Sequence, residues 1–470
     1  MKTMLPFGPA VGLMLLSVWN GGPQAAAGLP DEGVPRYRLS AGQELLYETH
    51  GEFSYQNGGD STFNRLTDTT RKLRVVRRND DGSWRIVMHE TTLRRSQRGD
   101  DEPSDSPAQV TLAWFDLTPD GRVPHNPSLG YRVRPSSLFV RLPPDAPSLK
   151  AGWEDAVELD SGTRHHKLAD GPDANGAEII IEVTTDSPMN AVYESTSSAK
   201  YHFDTDRGLV TRIETENSQG YGIQGKGSGT TELKSVETIE PDELAEFVKE
   251  TGIFFETKQK YDELQTKAYH DFENAETLLA DAKAVLTAVQ DTLTLPVLTK
   301  QVEDDLASHD SSAKSIQKQA TRFGELIGQP SPEWDTTDLD GEKHALQDYR
   351  GKVVLLDFWY RGCGWCIRAM PQLRQLAEEF EGRPVAVLGM NTDRDESDAK
   401  FVIETMKLNY PNLKAEGLPE KYKVQAFPTM VLIDQQGRVH HVHVGYSPTL
   451  REDIGAKIAA LLKEEPAAAP

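Results

Sequence analysis

Cysteine is nearly absent from this sequence. Its 470 residues hold two, Cys363 and Cys366, three apart in "DFWYRGCGWCIRAMP". A framework of several disulfides is thereby excluded. A bridge between these two closes almost no chain, and the stabilisation a disulfide gives grows with the loop it closes, so a structural staple is a poor use of the pair. Positive charge is also short: 51 Lys and Arg stand against 73 Asp and Glu, a formal net charge of −22. Such a surface repels nucleic-acid phosphates. The acidic residues are dispersed rather than gathered in a tail, which reads as a solvated surface. Long apolar runs are scarce. The one near the start, "LPFGPAVGLMLLSVW", has 15 residues, short of the roughly 20 that span a membrane. Lys2 precedes it and "PQAAAG" follows, with small residues at Ala25 and Ala27. That order is an export signal over residues 1–27, so the mature chain is expected to begin near Gly28, in the periplasm or outside the cell. No cysteine follows the apolar run, which leaves no site there for lipid attachment.

What is present divides the chain into three. The length and the apolar fraction of 37% suit two or three globular domains. Residues 36–240 read as β. In "SWRIVMHE", Trp84, Ile86 and Met88 alternate with Arg85, Val87 and His89, the period of a half-buried strand. Leu73, Val75 and "NDDG" before it suggest a hairpin, and Pro119-Asp120-Gly121 a further turn. An antiparallel sheet, a sandwich and an open barrel all fit this pattern. His165 and His166 read as a surface pair in a polar loop, and no catalytic constellation stands out in this region.

Residues 241–325 turn helical. Pro241, Asp242 and Glu243 open a helix. Tyr261, Leu264, Ala268, Phe272, Ala275, Leu279, Ala282, Leu286, Val289 and Leu293 then keep an unbroken rhythm of threes and fours. Pro296 interrupts it, and Val302, Leu306, His309, Ala313, Ile316, Ala320 and Phe323 resume it. The expectation is an α-helical hairpin that serves as a spacer, with a homodimer formed through these helices as the alternative.

Residues 328–464 alternate strands and helices. "GKVVLLDFW" and "PVAVLGMN" are buried strands, "PTMVLIDQQGRVHHVHVG" is two strands about Gln436-Gly437, and "TLREDIGAKIAALLKEE" is a closing helix. The whole is a multidomain chain: all-β, then helical, then α/β.

The cysteines fall just after a strand, at the first turn of a helix. Unsatisfied N–H groups and the positive end of the helix dipole favour a thiolate there. Cys363 is therefore expected to be the exposed nucleophile with a lowered pKa, and Cys366, one turn in, the shielded resolving thiol. Zinc needs four ligands and no second cysteine pair exists. His440, His441 and His443 lie on a separate strand, His441 and His443 facing one way and His440 the other. No metal and no cofactor is expected. Ile367 after the pair excludes a covalent haem site.

Three further stretches join this motif: "IGQPSPEWDTTDLDGEKHALQDYRGKVVLLDFW", "AMP" after the cysteines, and "VQAFPTMVLIDQQGRV". Together they make residues 328–462 resemble the thioredoxin fold, and within it the TlpA/ResA-like thiol-disulfide oxidoreductases. The resemblance implies that Pro428 follows a cis bond and faces the sulfurs, and that Phe427 offers its backbone to an extended substrate. It implies that Asp357, six before Cys363, is a buried acid with a raised pKa that relays the Cys366 proton; the plain alternative is a hydrogen-bonded strand residue. It implies reduction of disulfides in partner proteins of the cell envelope, apocytochrome thiols among them, with an unidentified electron donor. Gly362 stands where the family carries Trp, Ala369 where relatives often carry Glu, and Trp365 lies between the thiols, either to stack on a partner or to fill the vacated space. A peroxiredoxin needs Pro and Thr where this chain has Leu356 and Tyr360. The alternative from another class is a β domain that binds an envelope ligand or protein, beside a redox-gated thioredoxin-like domain.

Overall fold

The computed structural model describes residues 34–56, 62–124, 135–157, 162–170, 177–272 and 274–463. The expected export signal lies outside the described residues.

The β-rich part is one continuous antiparallel sheet of ten strands. They are β1 (Gln43–Gln56), β2 (Thr62–Arg78), β3 (Trp84–Arg98), β4 (Ser104–Leu117), β5 (Trp153–Val157), β6 (Gly162–Asp170), β7 (Glu178–Asp186), β8 (Thr196–Asp204), β9 (Leu209–Gln219) and β10 (Gln224–Thr238). Each pairs with its chain neighbour, except that β1 also pairs with β10 and no ladder joins β4 to β5. Residues of both halves, Leu73, Ile86 and Phe115 with Ile181, Phe203 and Ile213, share one apolar core, so the sheet curls over a single filled concave face. The segment Leu138–Leu142 fills it from the open side, and the Tyr37 hydroxyl bonds both the N–H and the carbonyl of Val140, at 2.8 and 3.2 Å. Gly121 makes this closure possible. Its φ is +84°, and a Cβ there would lie 2.1 Å from the Val140 carbonyl oxygen. Gly121→Ala is expected to destabilise the β domain by about 2–4 kcal/mol, read as a lowered denaturant midpoint.

The half-buried reading of "SWRIVMHE" is corrected: Trp84, Arg85, Ile86, Val87 and Met88 are all buried. The second face is covered by a helix, which places Phe247 on Val76 and Val87. His165 and His166 also lie on β6 rather than in a loop. His166 is buried, stacked at 5.3 Å on Trp153 and bonded to Asp155. Two short helices, α1 (Ala146–Ala151) and α2 (Pro188–Val192), interrupt the strand order.

The helical part holds three helices where two were expected: α3 (Pro241–His270), α4 (Ala275–Val289) and α5 (Pro296–Gly324). The run Tyr261–Leu293 breaks at Asp271–Asn274, where the Asp271 carboxylate accepts from the Asn274 backbone and side chain at 3.2 and 2.9 Å. The apolar rhythm crosses the break because the α3 and α4 stripes face each other. Ala268 meets Ala275 and Leu279, and Tyr261 meets Ala282 and Leu286. Phe254 meets Val289, Leu298 and Val302, which adds α5. The Glu250 carboxylate holds the second turn through the Thr294 and Leu295 N–H groups at 2.8 and 2.9 Å.

In the C-terminal part a hairpin of β11 (Asp335–Thr337) and β12 (Lys343–Ala345) precedes β13 (Val353–Trp359). There follow α6 (Gly364–Glu379), β14 (Val385–Asn391), α7 (Glu396–Met406), β15 (Asn412–Lys414), α8 (Leu418–Lys421), β16 (Thr429–Ile433), β17 (Val439–Val444) and α9 (Leu450–Leu461). The sheet order is β15-β14-β13-β16-β17; β13 is parallel to β14 and antiparallel to β16. Every residue of β13 is buried, as its unbroken apolar sequence requires. Val353 and Leu355 pack with α6 and α9 on one face, and Val354, Leu356 and Phe358 with Trp334, Tyr422 and the α5 residue Phe323 on the other. The helical unit is thus rooted in this domain.

Candidate active site

The end of β13 and the start of α6 place the cysteines. After Trp359 the chain leaves the sheet through Tyr360–Gly362, and Cys363 is the N-cap of α6. Its sulfur accepts the Cys366 N–H at 3.1 Å, and the two residues are joined by a disulfide with Cα atoms 5.2 Å apart. The helix start therefore directs an unsatisfied N–H at the first sulfur. Gly362 has a local reason: a Cβ there would lie 2.9 Å from the Tyr360 ring.

Cys366 is 1% exposed, as expected of a resolving thiol, but Cys363 is only 6% exposed. The expectation of an open nucleophile is corrected. Part of its cover comes from the β domain. Val192 of α2, fully buried, shares a cluster with Cys363, Cys366, Trp359, Ile367 and Met370, with Met189, Tyr193, Tyr360 and Phe427 packed around it. The Tyr193 hydroxyl donates to the Arg361 carbonyl at 3.1 Å.

Arg361, two before Cys363, was not singled out by sequence. It is 7% exposed. Its guanidinium donates to the Val192 carbonyl at 3.0 and 3.3 Å, pairs with Asp398 at 2.9 Å and Glu194 at 3.4 Å, and lies 3.7 Å over the Tyr221 ring. Its backbone N–H is held by Asp393 at 2.9 Å. Burial pushes the Asp393 carboxyl up. The one available signal was a lone cation in an otherwise apolar approach to the thiols. Its partners in the β domain next to α2, Val192, Tyr193 and Glu194, sit more than 160 residues away in the chain.

Asp357 is 1% exposed, with Oδ1 lacking a hydrogen-bond partner. Burial pushes its pKa up to about 7. It shares a face of β13 with Leu355 and Trp359, the face that carries α6. The peptide between Phe427 and Pro428 is cis, and the Phe427 ring meets Tyr360 edge-on at 5.1 Å in the cluster around the sulfurs. Trp365 is 42% exposed, stacked on Tyr446 at 5.7 Å with Arg368 over it, so it stands at the rim and does not fill the core. His441 and His443 are buried together on β17 while His440 is exposed. Among the described residues no group of three or more His, Cys, Asp or Glu side chains is placed to hold a metal ion.

Residues 327–442 match the family described as AhpC/TSA. Within that stretch the positions where a peroxidatic cysteine needs Pro and Thr are Leu356 and Tyr360. The chain is 34% identical over 122 residues to the thioredoxin-like protein YneN of Bacillus subtilis, covering 25% of this chain and 71% of that protein. It is 32% identical over 130 residues to the thiol-disulfide oxidoreductase ResA of Geobacillus kaustophilus, covering 27% and 74%. Among solved structures, a putative thiol:disulfide interchange protein DsbE from Chlorobium tepidum is 30% identical, with a TM-score of 0.28, over 29% of this chain and 97% of that one.

Proposed function

This chain belongs, through its C-terminal domain, to the ResA- and YneN-like thiol-disulfide oxidoreductases of the thioredoxin fold, and from that premise we propose that it reduces disulfides of partner proteins outside the cytoplasm. The observation that carries the reading is the Cys363–Cys366 bridge at the N-terminus of α6, where the Cys366 N–H points at the Cys363 sulfur. The bridged form is the spent form. A donor dithiol reopens it, giving up two electrons and becoming oxidised. The Cys363 thiolate then attacks one sulfur of a substrate disulfide, forming a mixed disulfide and releasing the other substrate sulfur as a thiolate. Deprotonated Cys366 attacks the Cys363 sulfur, releases the second substrate thiol and restores the bridge. In this reading Asp357 takes the Cys366 proton and Phe427 and Trp365 contact the substrate; the burial of Asp357 on the α6 face of β13 and its raised pKa support the first role. Placement outside the cytoplasm rests on the order of charge, apolar run and small residues over 1–27. Among the described residues no helix is long and apolar enough to cross a membrane.

The pre-reduced full chain is expected to reduce insulin disulfides faster than an equal concentration of dithiothreitol. A reductase is also expected to show a potential more negative than about −200 mV, away from the about −120 mV of a strong oxidant. A value near the latter reverses the proposed direction. Export is tested separately: alkaline phosphatase fused after Ser40 should be active in whole cells.

A further inference from the structure

Val192 of α2 packs in the same apolar cluster as Cys363 and Cys366, and the Tyr193 hydroxyl lies 3.6 Å from where a side chain on Gly364 would begin. We propose that the α2 segment of the β domain, Met189–Glu194, is a built-in occupant of the substrate-docking face, latched by Arg361, and that a partner reaches the sulfur only by displacing it. The inference rests on the thiol-exchange reading of the same site and adds its regulation.

Three observations carry it. The first is coverage. A disulfide under attack has to lie in line with the Cys363 sulfur, yet that sulfur belongs to a residue 6% exposed, and Val192 packs in its cluster rather than in the core of the β domain. The second is the form of the latch. Arg361 receives from α2 a backbone carbonyl, that of Val192, and a carboxylate, that of Glu194, while Tyr193 returns a hydroxyl to the Arg361 carbonyl. These are groups any extended protein segment can supply. Glu194 takes a φ of 50°, in the left-handed region, which reverses the chain and leaves Met189–Glu194 as a projecting knuckle. The third is scale. Among the described residues the contact is built on a five-residue helix, Tyr193, Glu194 and the β9–β10 hairpin residue Tyr221, whose hydroxyl meets Asp398 at 3.3 Å. Small interfaces between domains of one chain open readily. The C-terminal domain is meanwhile rooted in the helices through Phe323 and Phe272, so opening α2 does not detach it.

The displacing partner is thereby described. It is a disulfide-bearing protein segment with an apolar side chain for the Val192 seat, a carbonyl for Arg361 and an acidic residue in place of Glu194.

The test uses the reduced full chain and the rate at which Cys363 reacts with an excess of 5,5′-dithiobis(2-nitrobenzoate). Val192→Asp puts a charge into the apolar seat and is expected to raise the rate by more than about tenfold. Tyr193→Phe removes one hydrogen bond without threatening the fold and is expected to raise it roughly twofold to tenfold. A synthetic peptide of sequence Ser187–Ser195, added to the Val192→Asp chain, should slow the reaction again. Wild-type rates in both variants overturn the latch; if Val192→Asp does not fold, Tyr193→Phe alone decides. Failure of the underlying reading looks different: the pair then does not cycle between dithiol and disulfide in any variant.

Discussion

Cys363→Ser in the full chain is expected to abolish disulfide reduction, with turnover lowered by at least about a thousandfold. A serine hydroxyl at the N-cap of α6 still receives the Cys366 N–H, so the local structure survives while the nucleophile is lost. Cys366→Ser separates the two sulfur roles. Cys363 remains able to attack, but nothing is left one turn along the helix to release the adduct. Multiple turnover is expected to fall by about the same factor, and mixed disulfides through Cys363 should accumulate on non-reducing gels. The adducts should form faster when Val192→Asp is added. A Cys366→Ser chain that gives no adduct with any disulfide protein contradicts the assignment of roles.

The second large effect is at Asp357. In the folded, bridged protein its carboxyl holds a proton up to about pH 7, because burial penalises the charge and Oδ1 has no hydrogen bond to offset it. In the unfolded chain an aspartate releases that proton near pH 4. A folded-state value above the unfolded one makes its stabilising contribution complete below about pH 4 and lost as the pH climbs through 7. The whole interval is worth up to roughly 4 kcal/mol. Asp357→Asn stays neutral throughout. Its stability relative to the parent is therefore expected to be about 2–4 kcal/mol more favourable at pH 8 than at pH 4, measured by denaturant unfolding of the C-terminal domain. Equal differences at the two pH values would show that the acid is not held protonated. The same variant separates a proton relay from a strand filler: loss of the relay slows the attack of Cys366 on the Cys363 sulfur between about pH 7, above which Asp357 is ionised, and about pH 8.5, above which the thiol ionises unaided, whereas a filler leaves exchange unchanged.

What was legible in the sequence was local. The all-apolar β13, the alternating strands, Pro241 at a helix start and the turn glycines each carry their own signal within a few residues. The cysteine pair was legible for the same reason, since a strand, a C-x-x-C and a helix follow one another directly. The continuous rhythm from Tyr261 to Leu293 misled because two stripes that face each other across a turn carry the same spacing as one long stripe. Asp271 and Asn274 were the turn signal within it. The burial of Cys363 was not legible at all. Val192 and Tyr193 contribute to it; they meet Arg361 across nearly 170 residues of chain, and no periodicity within either domain encodes that contact. The burial of Val87 was hidden likewise, since α3 covers it from a different part of the chain, while Arg85 is held by Asp116 and the Trp114 ring on β4.

The central claim, a sulfur pair that passes two electrons, is tested most directly by equilibrating the full chain in dithiol–disulfide buffers of graded potential and counting free thiols after acid quench. The account predicts one reversible transition of about 30 mV per decade, as a two-electron couple requires, ending in two thiols at Cys363 and Cys366. A bridge that stays closed in excess dithiothreitol, or thiols that never close again on oxidation, would contradict it.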